Sequence, residues 1–334
     1  MKKILITGGC GFLGSNLCFH GLENGYEIHL IDNLRRKGSK ANLDWLIKAG
    51  LKSYFLVDIC NQREVEKIIK KLMPDVVFHL AGQVAMINSI ENPFEDFQIN
   101  ALGSLIILEA IRKFSPETEI IYSSTNKVYG DLKEYKIIES EKRYELLDYP
   151  NGFDEKTKID FQSPYGCSKG SADQYMQDYN RIYDIKSTVF RHSTLYGGRQ
   201  FSTYEQGWIS WFCSQAIKQK YTNYNKPFTI SGNGKQVRDI LHIKDAILLY
   251  YTAAENMIKI SGGCYNIGGG QDNSISIIEL IQFLENELDY NLNYTFLPWR
   301  SSDQKVFISD ITKIQSELNW EVNVENSQGI KMMI

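Results

Sequence analysis

Residues 3–14, KILITGGCGFLG, place a short apolar and β-branched segment directly before a glycine-rich turn. The apolar part predicts a buried strand. Gly8, Gly11 and Gly14 would let the chain turn sharply and approach a pyrophosphate closely. The helix predicted from about Phe12 would then present its N-terminus to the phosphate charge. The spacing is G-x-x-G-x-x-G and not the simplest dinucleotide fingerprint, so a tight strand-to-helix connection without a ligand stays open.

An acidic residue follows the second predicted strand. Asp32 comes directly after the apolar residues 27–31 and lies eighteen positions after Gly14. A carboxylate near this spacing accepts hydrogen bonds from the adenosine ribose of a dinucleotide, which favours NAD over NADP. Arg35 and Arg36 leave NADP open, because guanidinium groups bind a 2′-phosphate well.

Length, composition and charge limit the class of protein. The chain has 334 residues, of which 43% are apolar, and a formal net charge of -3, so it can bury a large core and is not a nucleic-acid binder by charge. No stretch reaches about 20 apolar residues, and Lys2 and Lys3 lie too close to Gly8 for a signal peptide, which favours a cytoplasmic protein. The six cysteines contain no C-x-x-C and the five histidines show no metal-ligand spacing, so we expect reduced thiols and no metal.

Predicted strands and helices alternate along the first part of the chain. Such alternation predicts right-handed crossovers and therefore an α/β fold with a Rossmann-like, doubly wound parallel sheet. Ligands of these sheets bind at the carboxyl ends of the strands. The further strands are predicted at residues 52–57, 75–80 and 119–122, and the further helices at residues 64–72 and 94–114.

Small and polar residues follow three of these strands, where the ligand crevice is expected. We expect cofactor contacts from these residues and from Asn100, which lies inside a predicted helix. Two of them have ordinary alternatives, because Asp58 can cap the following helix and Thr125 can be a turn hydroxyl. The residues that follow the strands are Asp58, Ile59, Leu80, Ala81, Gly82, Gln83, Ser123, Ser124 and Thr125.

Tyr165 and Lys169 form a pair that can transfer protons. They are four positions apart on a helix predicted from about Pro164, and therefore lie on one face of it. An ammonium beside a phenol lowers the phenol pKa from about 10 toward neutral pH, which would make Tyr165 a general base. Because the chain has 20 tyrosines, an ordinary helix-surface pair is the alternative.

The chain resembles the extended short-chain dehydrogenases/reductases that modify nucleotide-linked sugars. The features that carry this resemblance are the glycine turn, Asp32, residues 123–125, the pair Tyr165 and Lys169, and residues 237–242. The resemblance runs nearly the whole length of the chain and implies bound NAD. It also implies internal redox chemistry, in which Tyr165 removes a proton from a sugar hydroxyl while hydride leaves the same carbon. Lys169 would hold the cofactor ribose.

Within that family, residues 32–39, 81–86 and 123–131 are similar to epimerases that invert C2 of CDP-linked hexoses. Such enzymes supply sugar donors for surface polysaccharide, including the O-antigen of lipopolysaccharide. A UDP-hexose 4-epimerase, or another NAD-dependent modifier of sugar nucleotides, is the alternative enzyme. A dinucleotide-binding sensor without turnover is the alternative outside enzymes, because fold does not determine function.

The same resemblance implies the substrate contacts. Thr125 would hydrogen-bond the reacting oxygen, and Arg238, Arg300 and Asp303 would clamp phosphate and ribose. Any single arginine can instead be a solvated or surface-paired side chain. The full set of expected substrate contacts is Gln83, Thr125, Asn126, Thr194, Arg199, Arg238, Arg300 and Asp303.

Residues 126 and 127 distinguish the chain from related dehydratases. Those enzymes carry an acidic residue just after the position of Thr125, because a leaving hydroxyl needs a proton donor. This chain has Asn126 and Lys127 there, which disfavours 4,6-dehydration. The alternative is that both residues only shape the turn before Val128.

The expected cofactor site includes His192, which the resemblance places near the nicotinamide. As a lone histidine it can equally be a core residue. The full set is Gly8, Gly11, Phe12, Leu13, Gly14, Asp32, Asn33, Asp58, Ile59, Leu80, Ala81, Gly82, Gln83, Asn100, Ser123, Tyr165, Lys169 and His192.

We expect two domains and an oligomer. Residues 1–188 would form the NAD-binding Rossmann domain. Residues 189–334 would form most of a smaller mixed α/β domain that binds the nucleotide sugar, with some segments returning to the sheet. By resemblance, the helices at residues 94–114 and 163–183 would pair in a homodimer or homotetramer, unless their apolar faces are used up by the sheet.

Overall fold

The computed structural model describes residues 2–222, 224, 226–300 and 303–334. Among its described helices, none combines the length and the apolar character that a membrane span requires. The strands are β1 Lys3–Thr7, β2 Glu27–Asp32, β3 Ser53–Leu56, β4 Val76–His79, β5 Glu119–Thr125, β6 Ile137–Glu139, β7 Tyr144–Leu146, β8 Ser187–His192, β9 Thr194–Tyr196, β10 Phe228–Ser231, β11 Val237–His242, β12 Cys264–Ile267, β13 Ser274–Ser276, β14 Tyr294–Leu297 and β15 Val306–Phe307.

The helices alternate with these strands. A π-helical turn spans Gln98–Leu102, and 3₁₀ turns span Asn126–Tyr129 and Gln271–Asn273. The α-helices are α1 Phe12–Glu23, α2 Ser39–Lys48, α3 Gln62–Leu72, α4 Met86–Glu91, α5 Pro93–Phe97, α6 Gly103–Phe114, α7 Ser163–Tyr183, α8 Trp208–Tyr221, α9 Ile243–Glu255, α10 Met257–Ile260, α11 Ile277–Leu288, α12 Thr312–Leu318 and α13 Asn326–Lys331.

Within the described residues, a sheet of seven strands has the order β12-β8-β5-β4-β1-β2-β3. Every neighbouring pair in it is parallel. The strand order reverses between β1 and β4, because the chain passes from β1 outward to β3 and then returns beside β1. The predicted Rossmann-like, doubly wound α/β fold is confirmed, and its ligand crevice is expected at the carboxyl ends of β1 and β4.

Helices cover both faces of this sheet. Ile4 and Ile6 of β1 are buried in a cluster with Leu17 of α1, whereas Leu5 is buried in another cluster with Ile107 of α6. Successive side chains of a strand point to opposite faces, so this division places apolar helices on both sides. A sheet buried on both faces explains why β1 is apolar at consecutive positions.

Strand β5 is longer than predicted. It was expected to end at Tyr122, but residues 123–125 continue the ladder with β8 as far as the pair Thr125 and His192. Ser124 is buried there and donates a hydrogen bond of 2.7 Å to Asp173. A polar side chain can therefore occupy a central strand because its hydrogen bond is satisfied internally.

The helix predicted over residues 94–114 is divided. Helix α5 ends at Phe97, the π-helical turn follows, and α6 begins at Gly103. The side chain of Asn92 caps α5 by accepting a hydrogen bond of 3.3 Å from the backbone of Glu95. The π-helical turn contains Asn100, and turns of this kind are frequent at functional sites.

The chain after β8 builds most of a smaller α/β part. Strand β11 pairs in parallel with β9 and β15 and antiparallel with β13, while β10 pairs with β14. Strand β12 returns to the large sheet beside β8, and β8 itself spans the expected boundary at residues 188 and 189. A division into residues 1–188 and 189–334 therefore stays a proposal about function and not a clean cut in the fold.

Candidate active site

A cavity of about 940 Å³ opens at the carboxyl ends of β1 and β4. The glycine turn, the ends of β2, β5 and β8, and loops from the second part of the chain surround it. Asn100 and Lys169, both expected at the site, lie behind its wall. The expected residues that line it are Gly8, Gly11, Phe12, Leu13, Gly14, Asp32, Asn33, Asp58, Ile59, Leu80, Ala81, Gly82, Gln83, Ser123, Thr125, Asn126, Tyr165, His192, Thr194, Arg199, Arg238, Arg300 and Asp303.

The glycine turn has no room for side chains. Gly8 has a φ of +68°, and a Cβ on it would lie 2.8 Å from the backbone nitrogen of Ala81. A Cβ on Gly14 would lie 2.2 Å from the carbonyl oxygen of Gly8, so α1 packs directly on the turn. The N-cap of α1 is Gly11, which has no side chain to satisfy the first N–H groups of the helix. This cradle fits an anionic ligand such as a pyrophosphate.

Asp32 is fixed at the end of β2. Its carboxylate accepts hydrogen bonds from the backbone of Cys10 at 3.0 Å and of Leu34 at 2.7 Å. Burial raises the pKa of Asp32, while these N–H groups and the charge of Arg36 act in the opposite direction. Arg35 forms an ion pair with Glu95. The Arg35 charge is thus already matched, which weakens the case for a 2′-phosphate.

Tyr165 and Thr125 meet in the interior of the cavity. Both are buried and line the cavity, and Thr125 is near enough to the Tyr165 hydroxyl to influence its pKa. The Thr125 hydroxyl also accepts a hydrogen bond of 3.2 Å from the backbone of Lys127. Thr125 therefore serves as the turn hydroxyl considered from the sequence and also faces the phenol.

The pKa of Tyr165 differs from the expectation. We expected Lys169 to lower it, but burial raises it to about 12. The Thr125 side chain lowers this pKa, the Asp96 carboxylate raises it, and the Arg36 charge lowers it. Desolvation outweighs these contributions because a phenolate loses its hydration on burial. In the protein alone, Tyr165 is therefore a neutral phenol.

Lys169 reaches the site from behind its wall. It is 4% exposed, its Nζ donates a hydrogen bond of 2.6 Å to the carbonyl oxygen of Ser123, and the ammonium lies 4.3 Å from the centre of the Tyr122 ring. Burial lowers the pKa of Lys169 to about 7, and the carboxylates of Asp173 and Asp96 oppose this shift. Its charge is therefore sensitive to its surroundings near neutral pH.

Asn100 holds the loop that carries Gln83. It is 1% exposed; its Nδ2 donates to the carbonyl oxygen of Gln83 at 3.0 Å, and its Oδ1 accepts from the Gln83 backbone at 2.9 Å. Nδ2 also donates to Ser168 at 3.1 Å. The Gln83 side chain donates to Asp96 at 2.9 Å. Asn100 thus shapes the cavity without lining it.

Asp58 forms a local turn. It accepts hydrogen bonds from the backbone of Cys60 at 2.9 Å and from the Asn33 side chain at 2.7 Å. The cap of α3 is Asn61, which accepts from Glu64, so the interpretation of Asp58 as the helix cap is wrong. Asp58 and Asn33 are instead hydrogen-bonded to each other in the lining of the cavity.

His192 is buried at the end of β8. Its Nε2 forms a hydrogen bond of 2.9 Å with the Tyr250 hydroxyl, while its Nδ1 has no partner among the described residues. Burial lowers the pKa of His192 to about 3, and the charge of Lys169 contributes in the same direction. The ring is therefore neutral, which makes it a poor proton carrier at physiological pH.

Arg238 and Arg300 add positive charge to the lining of the cavity. Arg238 donates a hydrogen bond of 2.8 Å to Asp303. Arg300 donates to Ser231 at 3.1 Å, and its guanidinium lies 4.5 Å from the centre of the Tyr204 ring. Guanidinium groups held in this way suit phosphate oxygens.

Arg199 is anchored to α2. Its Nε donates to Asn42 at 2.9 Å, and its guanidinium lies 4.6 Å from a ring centre of Trp45. Asn42 also donates to the Cys10 carbonyl at 3.0 Å, which ties this region to the glycine turn. Arg199 therefore has different partners from Arg238 and Arg300, the two arginines expected to act with it.

Several cavity residues were not expected from the sequence. Tyr204 and Trp208 line it, and the Trp208 indole donates to Thr194 at 3.2 Å. Their signal was the run of five aromatic residues within positions 201–212, which is unusual for a loop followed by a helix. Lys127 also lines the cavity, although we considered it only as a residue that is not an acid.

Comparison with known proteins agrees with this geometry. The chain matches the family described as GDP-mannose 4,6 dehydratase over residues 5–333. It belongs to this family. The resemblance to extended short-chain dehydrogenases/reductases is confirmed, and this family comprises epimerases as well as dehydratases.

Three relatives of this family member are informative. It is 54% identical over 331 residues to CDP-paratose 2-epimerase of Salmonella typhi, covering 99% of this chain and 98% of that protein. UDP-glucose 4-epimerase of Thermotoga maritima, solved with UDP-glucose, has a TM-score of 0.84 and 29% identity, covering 99% of this chain and 96% of that one. UDP-glucuronic acid 4-epimerase of Bacillus cereus, solved with UDP-glucuronic acid and NAD, has a TM-score of 0.82 and 27% identity. The comparison covers 99% of this chain and 97% of that one.

Proposed function

We propose that the protein is an NAD-dependent nucleotide-sugar epimerase, an isomerase that interconverts CDP-paratose and CDP-tyvelose at C2 for surface polysaccharide synthesis. One observation carries the proposal: a single cavity brings together the glycine turn, the buried pair Tyr165 and Thr125, and the arginines Arg238 and Arg300. Dinucleotide binding, proton transfer and diphosphate binding can therefore occur side by side. The identity of the base and sugar rests on the likeness to CDP-paratose 2-epimerase.

The residues of the glycine turn fit NAD. The pyrophosphate would lie against the N-terminus of α1, where Gly8 and Gly14 leave space only for backbone. Asp32 would accept hydrogen bonds from the adenosine ribose. Bound NAD would supply the acceptor for a hydride from the sugar carbon and return that hydride to the opposite face of the sugar.

Tyr165 would remove the proton from the C2 hydroxyl. In the protein alone its pKa is about 12, so it needs additional positive charge nearby to act as a base near neutral pH. Oxidised nicotinamide and Lys169 would supply this charge. Thr125 would hold the reacting oxygen, and Tyr165 would return the proton after the keto sugar has presented its other face.

Proton donors for dehydration are missing directly after Thr125. In the turn Asn126–Tyr129, every residue of which is described, no carboxylic acid occurs. The Asn126 side chain donates a hydrogen bond of 3.0 Å to Gln304 and is therefore engaged in holding the turn. Without an acid at this place, the expulsion of a hydroxyl is disfavoured and reversible oxidation is the reaction that fits.

The direct test is to incubate the purified protein with CDP-paratose, without added cofactor, and to follow the C2 proton of the sugar by NMR. We expect an equilibrium mixture with CDP-tyvelose, because NAD retained from purification suffices for a reaction that regenerates it. A protein that contains NAD and leaves CDP-paratose unchanged would contradict the proposal. A panel of UDP-hexoses would then test 4-epimerisation.

We expect Gly14→Ala to weaken NAD binding about 10-fold or more. The added Cβ would lie 2.2 Å from the Gly8 carbonyl oxygen, so α1 must move away from the turn. Overpacking of this kind costs about 1–3 kcal/mol. NAD affinity, measured by calorimetry on the cofactor-free protein, would report it. Gly198→Ala is the matched control, because a Cβ there meets nothing within 4 Å; equal affinities in the two variants would contradict the prediction.

A homodimer or homotetramer and a cytoplasmic location stay proposals. Exposed apolar side chains support an oligomer. In the single chain, Phe94 and Phe97 of α5 face solvent, and so do Ile182 and Tyr183 of α7. Part of the apolar surface of α5 and α7 is therefore exposed in the single chain. Contiguous exposed apolar patches commonly mark interaction surfaces.

A further inference from the structure

Lys127 lies next to the reacting pair. It belongs to the 3₁₀ turn that follows β5, and its backbone donates to the Thr125 hydroxyl at 3.2 Å. Its carbonyl oxygen packs against α7, since a Cβ on Gly166 would lie 3.2 Å from it. Gly166 is the neighbour of Tyr165 in the chain. The backbone of Lys127 is therefore fixed with respect to both Thr125 and Tyr165.

The same turn is tied to the second part of the chain. The Asn126 side chain donates to Gln304 at 3.0 Å, and Gln304 in turn donates to the Gly130 carbonyl at 2.6 Å. Gln304 is fully buried and follows Asp303, which pairs with Arg238. These hydrogen bonds tie the turn that contains Lys127 to the segment that carries Asp303, the partner of Arg238.

Three charged groups influence the pKa of the Lys127 ammonium: Arg238 and Asp303 from the second part of the chain, and Asp131 four residues further along the same loop. Burial and Arg238 lower the pKa of Lys127 to about 8, while Asp303 and Asp131 raise it. Both carboxylates also interact with other cations, Asp303 with Arg238 at 2.8 Å and Asp131 with Lys133 at 3.0 Å. Lys127 lines the cavity and interacts electrostatically with Arg238, so it adds positive charge to the part of the lining that contains Arg238.

The chemistry of the proposed substrate indicates which group this positive charge would bind. C2 of a nucleotide sugar is bonded to the anomeric carbon, which carries the diphosphate, whereas C4 lies across the ring. A C2 hydroxyl at Tyr165 therefore brings the sugar-linked phosphate close to the reacting pair. A cation carried by the turn that follows Thr125 would be able to bind that phosphate in this orientation of the sugar.

We propose that Lys127 binds the sugar-linked phosphate of the substrate and thereby sets C2, and not C4, against Tyr165. This inference rests on the proposed function and makes Lys127 a specificity-determining residue. It assigns Arg238 and Arg300 to the remainder of the diphosphate. The nearest phosphate oxygen would accept a charge-assisted hydrogen bond from the Lys127 ammonium.

CDP and CMP provide the test, because CMP lacks the phosphate to which the sugar is attached. We would measure both affinities by calorimetry on the NAD-loaded protein and on Lys127→Met. The variant is expected to lose about 10- to 100-fold in CDP affinity, as a charged hydrogen bond implies, with little change for CMP. Lys133→Met is the matched control, since Lys133 is 82% exposed on the same loop and should leave both affinities unchanged.

The pH dependence gives a second measurement. Lys127 carries its charge below its pKa and loses it above, so the preference of the wild-type protein for CDP over CMP should fall as the pH rises above about 8. Lys127→Arg should keep the preference to higher pH, because a guanidinium stays charged. Lys127→Gln, which has no charge at any pH, should show a low preference throughout.

Each outcome bears on one of the two proposals. Unchanged preference for CDP in both Lys127→Met and Lys127→Gln, with NAD content and melting temperature retained, would overturn the role of Lys127. If Lys127→Met fails to fold, Lys127→Arg and Lys127→Gln still decide. Failure of the wild-type protein to convert CDP-paratose would instead contradict the proposed function, whatever the ratio of CDP to CMP affinity.

Discussion

Replacing Tyr165 with Phe is expected to lower turnover about 10²- to 10⁴-fold, the usual contribution of a general acid–base group, while NAD stays bound. Tyr165 and Thr125 both line the cavity, and the buried Tyr165 ring contributes to its wall. Phe keeps the ring and removes only the proton-transferring group. The rate of CDP-paratose conversion and the amount of NAD released on denaturation would measure the two effects separately.

Tyr175→Phe is the control for this variant. Tyr175 lies on the same helix, is 42% exposed and keeps its ring contact with Tyr179 after the substitution. Its turnover should equal that of the wild-type protein. Full activity in Tyr165→Phe would remove Tyr165 from the mechanism, and loss of NAD together with activity would assign it to cofactor binding.

Replacing Asp173 with Ala is expected to lower the free energy of unfolding by about 3–5 kcal/mol. Asp173 is fully buried and accepts hydrogen bonds of 2.9 Å from both Nε and Nη2 of Arg191. Burial disfavours the Arg191 charge, but these bonds and the Asp173 charge raise the pKa of Arg191 above its ordinary value. Without Asp173, a charged guanidinium would be left buried and unpaired. Urea unfolding followed by circular dichroism would measure the loss.

Two further variants test whether this loss of stability comes from leaving a buried charge unpaired. Asp178→Ala removes an exposed partner of Arg181 on the same helix and should cost at most about 1 kcal/mol. Asp173→Leu combined with Arg191→Met removes both buried charges and should recover much of the stability. A loss below about 1 kcal/mol in Asp173→Ala would show that the buried pair contributes little.

The part of the fold that could be predicted from the sequence is the part that local patterns determine. Strand β1 and helix α1 follow from an apolar run and three glycines within a dozen residues. The sequence predicts that β5 ends at Tyr122, because Ser123, Ser124 and Thr125 are polar. What keeps them in the strand is the ladder with β8 and the partner Asp173, and both come from distant parts of the chain.

The candidate site shows the same difference between what local sequence patterns predict and what distant parts of the chain determine. The four-residue spacing of Tyr165 and Lys169 predicted a shared helix, and α7 contains both, but the spacing did not predict how their charges behave. Lys169 turned out to be buried against Ser123, so burial sets its pKa more than its pairing with the phenol. Arg199 was grouped with Arg238 by residue type, whereas the fold anchors it to Asn42. Desolvation and side-chain direction are tertiary properties that spacing does not encode.

The hydrogen bond between Asn126 and Gln304 joins residues 178 positions apart. Gln304 is the neighbour of Asp303, which pairs with Arg238. The turn that follows Thr125 is therefore held by the same segment that positions an arginine of the proposed diphosphate site. A displacement of this segment would move the turn beside the reacting pair and a diphosphate contact together.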